Sequence, residues 1–304
     1  MIEGTFLGTS SAFPTAMRNH PAVYVALNGK KLLLDCGEGT QRQIRKAGLS
    51  PSIDHIFITH WHGDHSLGVG GIIQSLNMMK SSKPLDIFGP DETGQSVKNI
   101  LRTYKFYNTL DIKAVSVNAP HEKVILEDTL YRVSALNVKH SVKCLAYKIK
   151  EKDTRNILAE KLALKGIKAG KFLSGLKEGK DVSYNGIKLR YKDFTYIKKG
   201  KSLAYVTDLR YDKKIIPFIK GVDILIIEST FGSEFDRSYD YFHLNIKEAM
   251  SLAKSSGAKT VYFIHTSQRY ESNDSLKKNA HEVFSRMKCR FTYSFPDDLD
   301  KFEV

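Results

Sequence analysis

The segment at residues 59–65, Thr-His-Trp-His-Gly-Asp-His, follows an apolar, strand-like run and places four metal-binding side chains within six residues. They are His60, His62, Asp64 and His65. A strand that ends in a glycine-containing loop lets such side chains point inward from several directions. Imidazole nitrogens with a carboxylate oxygen suit zinc and related divalent ions. Three of the ten histidines lie in this window, so a purely structural polar loop is the weaker interpretation. The pattern predicts a two-metal hydrolase.

The pattern His-x-His-x-Asp-His resembles the metallo-β-lactamase superfamily, and further blocks follow it in a fixed order. The ordered set resembles ribonuclease Z, a family of tRNA 3′-processing endonucleases, over nearly the whole chain, from residue 5 to residue 304. The blocks that carry this resemblance are residues 8–15 with Arg18 and Asn19, 34–43, 206–208, 228–231 and 264–270. The metal motif alone indicates the superfamily, and the ordered blocks indicate the family.

The resemblance implies an α/β fold, a four-layer αβ/βα metallo-β-lactamase sandwich, with the site at strand ends between two sheets. Strand-like runs alternating with helical patterns independently indicate a layered α/β architecture. Strands are expected at residues 22–27, 31–36, 53–59, 85–89, 112–117, 123–127, 131–138, 203–207, 223–227 and 259–264. Helices are expected at residues 39–46, 68–80, 93–107, 245–255 and 275–287, with Asn245 and Glu248 as a capping box.

The family resemblance extends the metal site beyond the local motif. It implies that His60 and His62 share one zinc ion with His140, and that Asp64 and His65 share a second with His265. Asp208 would bridge the two ions. These seven residues complete the ligand set of the family, which argues against an inactive relative.

The resemblance also implies how the site would cleave a phosphodiester. A water activated by the two ions attacks phosphorus, with Asp64 ligating a metal and accepting a hydrogen bond from that water. His243 matches the family histidine that protonates the leaving ribose oxygen, and Glu228 would orient it. The expected products are a tRNA 3′-hydroxyl and a 5′-phosphate on the removed 3′ trailer.

Positive charge is concentrated in one region of the chain. Residues 148–201 contain 16 Lys/Arg and 6 Asp/Glu, whereas the whole chain carries a net charge of +14. A local excess of this size predicts a polyanionic partner, although charge runs are more often solvated faces. We interpret residues 148–201 as an arm inserted into a single domain of residues 1–304, with a helical pattern at 154–166. By resemblance the arm grips precursor tRNA, through Lys165, Lys168, Lys171, Lys177 and Lys180.

Composition limits where such a chain works. No run approaches eighteen consecutive apolar residues, so a membrane span is not expected, and no secretory signal is recognisable at the start. The three cysteines, Cys36, Cys144 and Cys289, are odd in number and widely spaced, which argues against disulfides and a thiolate metal site. A reducing cytoplasm fits these features, and the resemblance implies a homodimer.

Two other functions remain compatible with parts of the sequence. One is a superfamily hydrolase acting on small phosphodiesters or other esters, which the lysine-rich arm argues against. The other is an RNA-binding protein whose metal site is idle, which would require a missing ligand. Turnover of a chromogenic phosphodiester compared with that of precursor tRNA separates these from the tRNA endonuclease.

Overall fold

Two seven-stranded sheets form the centre of the fold in a computed structural model that describes residues 1–105, 108–233, 235–270, 272 and 274–304. The first sheet contains β1 (Ile2–Gly8), β2 (Ala22–Leu27), β3 (Lys30–Leu34), β4 (His55–Phe57), β5 (Leu85–Gly89), β6 (Ile112–Ser116) and β18 (Lys301–Glu303). Its order is β18-β1-β2-β3-β4-β5-β6. The strands from β3 to β6 are parallel, so their carboxyl ends meet at one edge.

The second sheet has the order β17-β16-β15-β14-β9-β8-β7. Its strands are β7 (Lys123–Glu127), β8 (Tyr131–Val138), β9 (Cys144–Glu151), β14 (Ser202–Val206), β15 (Ile224–Glu228), β16 (Thr260–Ile264) and β17 (Thr292–Ser294). The strands from β14 to β17 are parallel, whereas β7, β8, β9 and β14 pair antiparallel. The carboxyl ends of β14, β15 and β16 therefore lie side by side.

Helices cover the outer face of each sheet. The main-body helices are α1 (Thr40–Lys46), α2 (Gly63–Ser66), α3 (Val69–Met78), α4 (Thr93–Thr103), α8 (Ile216–Ile219), α9 (Phe235–Asp240), α10 (Ile246–Ser256) and α11 (Asp274–Arg286). Helices α1, α3 and α4 share an apolar core with the first sheet, and α8, α10 and α11 share one with the second. A third core, with Phe57 from β4 and Tyr147 from β9, fills the space between the sheets. The predicted four-layer αβ/βα sandwich is confirmed.

Local sequence signals explain how several elements begin and turn. Asn28 and Gly29, with φ of 50° and 80°, form the tight turn between β2 and β3, where left-handed backbone matches the strand twist. The side chain of Asn245 accepts a hydrogen bond from the backbone N–H of Glu248 at 3.0 Å, and Glu248 accepts one from the backbone N–H of Asn245 at 3.1 Å. This reciprocal pair is the predicted capping box at the start of α10.

The predicted elements of the main body are observed with ends shifted by a few residues. The run at residues 53–59 forms a strand only over His55–Phe57, because the following residues turn towards the candidate site. The helix expected at residues 93–107 is observed over Thr93–Thr103, and Tyr107 lies outside the described residues. Among the helices of the described ranges, none is long and apolar enough to cross a membrane.

The lysine-rich region forms a small unit between β9 and β14. Its elements are β10 (Thr154–Ile157), α5 (Ala159–Leu164), α6 (Leu173–Lys177), β11 (Val182–Tyr184), β12 (Ile187–Leu189), α7 (Tyr191–Phe194) and β13 (Thr195–Lys198). Strand β10 pairs antiparallel with β13, and Leu162, Leu176 and Phe194 belong to a local apolar cluster. The unit therefore has its own small core.

Two details of the predicted arm are corrected. The helix predicted at residues 154–166 is a strand at Thr154–Ile157 followed by the helix Ala159–Leu164, because pairing with β13 overrides the local helical pattern. The predicted boundary at Lys148 falls inside β9, which continues to Glu151 and pairs with β14. The net charge located the lysine-rich region, but it did not show where β9 ends. The lysines of β9 alternate with buried residues and still belong to the strand.

Candidate metal centre

The candidate ligands lie where strands end at the interface of the two sheets. His60 follows β4, and the chain then turns into α2, which contains Asp64 and His65. Asp208 follows β14 and His265 follows β16, both with left-handed backbone at φ of 51° and 60°. This uncommon conformation redirects each side chain from its strand towards the site.

The first cluster consists of His60, His62, His140 and Asp208. Nε2 of His60 lies 2.9 Å from Nδ1 of His62, which is 3.4 Å from Nε2 of His140. Oδ2 of Asp208 lies 3.6 Å from Nε2 of His60 and 3.9 Å from Nε2 of His140. These residues come from both sheets and converge on one point.

The second cluster consists of Asp64, His65, Asp208 and His265. Nε2 of His65 lies 3.3 Å from Nε2 of His265 and 3.4 Å from Oδ2 of Asp64. Asp208 contributes both oxygens, with Oδ2 at 3.4 Å from Nε2 of His65 and Oδ1 at 3.2 Å from Nε2 of His265. Asp208 is therefore shared by the two clusters.

The donor geometry fits divalent metal ions. Ligands at about 2.0–2.1 Å from a tetrahedral metal are separated by roughly 3.3 Å, close to the separations in both clusters. Oδ1 of Asp208 is buried and has no hydrogen-bond partner within the described ranges. Burial also lowers the pKa of His60 well below its ordinary value, which keeps this imidazole in the neutral form that ligates metal.

Hydrogen bonds orient four of the five histidines among the candidate metal ligands in the same way. Nδ1 of His65 faces Oδ2 of Asp35 at 2.8 Å, and Nδ1 of His265 faces Oγ1 of Thr230 at 2.9 Å. Nδ1 of His60 lies 3.1 Å from Oγ1 of Thr59, and Nδ1 of His140 lies 3.3 Å from the carbonyl of Phe242. Donation from Nδ1 leaves the Nε2 lone pair directed into the site, which is the usual support for a metal-bound imidazole.

Asp35 was not singled out as a site residue from the sequence. It is fully buried, directly after β3, with φ of 56°. Its carboxylate faces His65, accepts hydrogen bonds from the backbone and hydroxyl of Thr59, and accepts one from the hydroxyl of Tyr205 at 2.9 Å. The block at residues 34–43 contains Asp35, but its contact with His65 spans thirty positions and appears only in the fold.

The carboxylate of Glu228 links two site histidines. Oε2 lies 3.2 Å from Nδ1 of His243 and accepts a hydrogen bond from the hydroxyl of Thr230 at 2.6 Å. Thr230 in turn accepts from Nδ1 of His265, so one buried acid supports both histidines. The family resemblance implied that Glu228 and His243 are partners, whereas Thr230 as the connecting residue was missed.

The charge of His243 is set by its neighbours. Burial disfavours the imidazolium, but the carboxylates of Glu228 and Asp208 outweigh this effect and raise the pKa of His243 to about 9. In the metal-free protein His243 is therefore protonated at neutral pH. With Nδ1 held by Glu228, Nε2 is available as a proton donor.

An open cavity of about 470 Å³ gives access to both clusters and to His243. Its wall includes Phe13, Phe231, Tyr241 and Arg269. A larger cavity of about 730 Å³ lies in the lysine-rich unit and contains none of the candidate ligands. The combination of ligand clusters and a charged histidine identifies the smaller cavity as the candidate site.

The five lysines expected to bind RNA are all exposed on the lysine-rich unit. They are Lys165, Lys168, Lys171, Lys177 and Lys180. Lys180 pairs with Glu178 at 2.8 Å, which reduces the charge it presents. Lys165 lies over the ring of Phe194, with Nζ at 6.0 Å from the centroid. None of the five lies at the metal clusters.

Known proteins and family models match nearly the whole chain. The family model described as Anti-Pycsar protein Apyc1 matches residues 2–159, and that of the beta-lactamase superfamily domain matches residues 194–266. Ribonuclease Z of Nanoarchaeum equitans is 35% identical over 304 residues, with 98% of this chain and 92% of that protein covered. Ribonuclease Z of Methanothermobacter thermautotrophicus is 38% identical over 295 residues, with 93% and 92% covered.

A solved structure supports the fold separately. The short form of human tRNase Z superposes with a TM-score of 0.71 at 20% identity, covering 99% of each chain. The two ribonuclease Z relatives cover 98% and 93% of this chain and therefore span both regions matched by the family models. The chain belongs to the ribonuclease Z family of hydrolytic endoribonucleases.

Proposed function

We propose that this chain is a zinc-dependent endoribonuclease that removes 3′ trailers from precursor tRNA, leaving a tRNA 3′-hydroxyl and a trailer 5′-phosphate. The observation that carries the proposal is the convergence of seven metal-binding side chains in two clusters that share Asp208. Relatives named ribonuclease Z and a structural neighbour named tRNase Z support the choice of substrate.

In this proposal His60, His62, His140 and Asp208 would hold one zinc ion, and Asp64, His65, His265 and the shared Asp208 would hold the second. The mixed imidazole and carboxylate donors, with no thiolate, suit zinc. When bound, two such ions supply Lewis acidity that lowers the pKa of water and offsets the charge of the scissile phosphate.

The protein side chains direct the attack and the departure of the leaving group. Asp64 accepts a hydrogen bond from the attacking water and so aligns it with phosphorus. As the bond from phosphorus to the ribose O3′ breaks, His243 donates the proton from Nε2 to that oxygen. Glu228 keeps Nδ1 of His243 protonated and offsets the charge of the imidazolium before transfer.

The lysine-rich arm would bind the body of the tRNA through Lys165, Lys168, Lys171, Lys177 and Lys180. Exposed ammonium groups on one small unit contact phosphates without reading sequence, and this suits a substrate recognised by shape. We further propose that the chain is a single domain with this arm and works as a cytoplasmic homodimer. Sedimentation of the purified protein tests the dimer directly.

A transcribed precursor tRNA, with the cleavage position mapped to the nucleotide, tests the proposed function. We expect one cut at the trailer junction, two metal ions per chain, and loss of cleavage after exhaustive chelation or in His62→Ala and Asp64→Ala variants. Restoration by added zinc separates metal loss from unfolding. Undiminished cleavage after complete metal removal would contradict the two-metal mechanism.

The same assay separates the proposed function from its alternatives. A hydrolase of small phosphodiesters would turn over a nitrophenyl phosphodiester efficiently and leave precursor tRNA intact. An RNA-binding protein with an idle site would bind precursor tRNA and cleave neither substrate. The tRNA endonuclease is supported if precursor tRNA is cleaved with the higher kcat/KM.

A further inference from the structure

The loop between α9 and α10, residues 241–245, carries His243 and is contacted by Arg210. The guanidinium carbon of Arg210 lies 3.8 Å from the centroid of the Tyr239 ring and 4.4 Å from that of Phe242. Nη2 of Arg210 also donates a hydrogen bond to the carbonyl of Tyr239 at 3.0 Å. The planar guanidinium of Arg210 thus packs against both Tyr239 and Phe242, in the segment that precedes His243.

The backbone of Arg210 is itself fixed to the metal site. Arg210 follows Asp208 by two residues, and its N–H donates to the carbonyl of Lys139 at 2.7 Å, next to His140. The intervening N–H of Leu209 donates to Oε1 of Glu228 at 2.8 Å. These two hydrogen bonds therefore fix the backbone of Arg210 relative to the residues that surround His243.

Phe242 has a conformation that needs support. Its φ is 60°, in the left-handed region that a bulky residue seldom adopts, and such a conformation persists when neighbouring contacts determine it. The contacts include the Arg210 stack and the 3.3 Å approach of its carbonyl to Nδ1 of His140. The next residue, His243, donates its backbone N–H to the carbonyl of Ser238 at 2.9 Å.

We propose that Arg210 is a positioning residue for the proton transfer, holding the 239–243 segment so that His243 faces Glu228 and the leaving oxygen. The inference rests on the proposed function, because it assumes that His243 protonates a poor leaving group. It requires arginine in particular. A lysine keeps the positive charge but has neither the planar surface for two rings nor the fork that reaches the Tyr239 carbonyl.

Arg210→Lys tests this role with two substrates. For precursor tRNA, kcat is expected to fall by about 3- to 30-fold, the size of a lost cation–π contact, with KM unchanged. For a nitrophenyl phosphodiester, kcat is expected to stay at the wild-type value, because nitrophenolate leaves without a proton. Metal content and Tm should match the wild type. Arg237→Lys, the same change at an exposed position of α9, is the matched control.

Two further variants address how Arg210 acts. Phe242→Leu removes a stacked ring while leaving Arg210 in place, and it should give the same split between the substrates. In a His243→Ala background, Arg210→Lys should cause no additional loss on precursor tRNA, because the group that it positions is absent.

Three results would overturn the inference. Equal losses on both substrates would mean that Arg210 supports the metal ligands, through His140, instead of the proton donor. Weaker binding of precursor tRNA at unchanged kcat would make Arg210 an RNA contact. Full additivity with His243→Ala would make the two residues independent. By contrast, a wild-type protein that leaves precursor tRNA uncleaved contradicts the proposed function itself.

Discussion

Oδ2 of Asp35 lies 2.8 Å from Nδ1 of His65, and both side chains are completely buried. The same carboxylate accepts a hydrogen bond from the hydroxyl of Thr59, which in turn lies beside Nδ1 of His60. One acid thus orients a histidine of each cluster. Asp35 supports the centre without lining the cavity that the substrate would enter.

Asp35→Asn is expected to weaken metal binding by about 10- to 100-fold, the usual effect of losing a carboxylate behind a ligating histidine. Competition with a chromophoric chelator measures this affinity directly. Asp86→Asn is the matched control, because Asp86 faces His55 at 3.2 Å away from the clusters. Equal metal affinities of the two variants would contradict a supporting role for Asp35.

His243→Ala is expected to lower kcat on precursor tRNA by roughly 10²- to 10⁴-fold, the range of general acid catalysis, with both metal ions retained. Glu228→Ala should give a similar loss, because the 3.2 Å contact with Glu228 orients the imidazole. The double variant should lose far less than the product of the single losses. Strictly multiplicative losses in single-turnover kinetics would mean that the residues act separately.

The metal-free protein should lose stability as pH rises, because Glu228 and Asp208 raise the folded-state pKa of His243 to about 9. The unfolded value is about 6.5. The stabilisation is therefore fully present below pH 6.5 and is lost as pH rises through 9, with a size on the order of 1–3 kcal/mol. Denaturant unfolding at pH 6.5 and 9.5 measures it. His243→Ala should reduce the difference between the two pH values, and an unchanged difference would exclude His243 as its source.

The arm can be removed where its two ends lie next to each other. The backbone N–H of Glu151 donates to the carbonyl of Lys201 at 2.8 Å, and β9 and β14 pair antiparallel from there. Replacing residues 152–200 by Asn-Gly should therefore form a two-residue hairpin. We expect precursor tRNA to bind orders of magnitude more weakly and with a shallower salt dependence, while nitrophenyl phosphodiester turnover persists.

A charge-matched comparison separates the contribution of the arm lysines from that of the overall charge of the protein. Changing the five arm lysines to glutamine should reproduce the loss of salt-dependent binding. The control changes five exposed lysines elsewhere, Lys247, Lys277, Lys278, Lys288 and Lys301. If the control variant loses as much affinity as the arm variant, overall charge and not the arm accounts for binding.

Local patterns predicted residues that are close together in the sequence, whereas the distant residues His140, Asp208 and His265 were predicted only through the family resemblance. The motif at residues 59–65 and the capping box at Asn245 depend on short spacings, and both led to correct local expectations about structure. The role of Arg210 depends on contacts with Tyr239 and Phe242, about thirty residues away, which no local pattern indicates.

The errors in the arm have a related physical cause. The segment Thr154–Ile157 has apolar and polar residues that also suit a helix, but it pairs with Thr195–Lys198, forty residues later. Long-range pairing decided between two locally acceptable conformations. The count of charged residues similarly included the last residues of β9. The lysines of that strand alternate with buried residues, so they add to the positive charge although they belong to the sheet.

Each cluster draws side chains from both sheets, with His60 and His65 near β4 and Asp208 and His265 beyond β14 and β16. During synthesis the chain therefore lacks some of the metal-binding side chains until most of it has been made. The first cluster is complete only once Asp208 has emerged, and the second only once His265 has. A nascent chain stalled before residue 208 has neither cluster, so the proposed two-metal site can form only after the second sheet has docked.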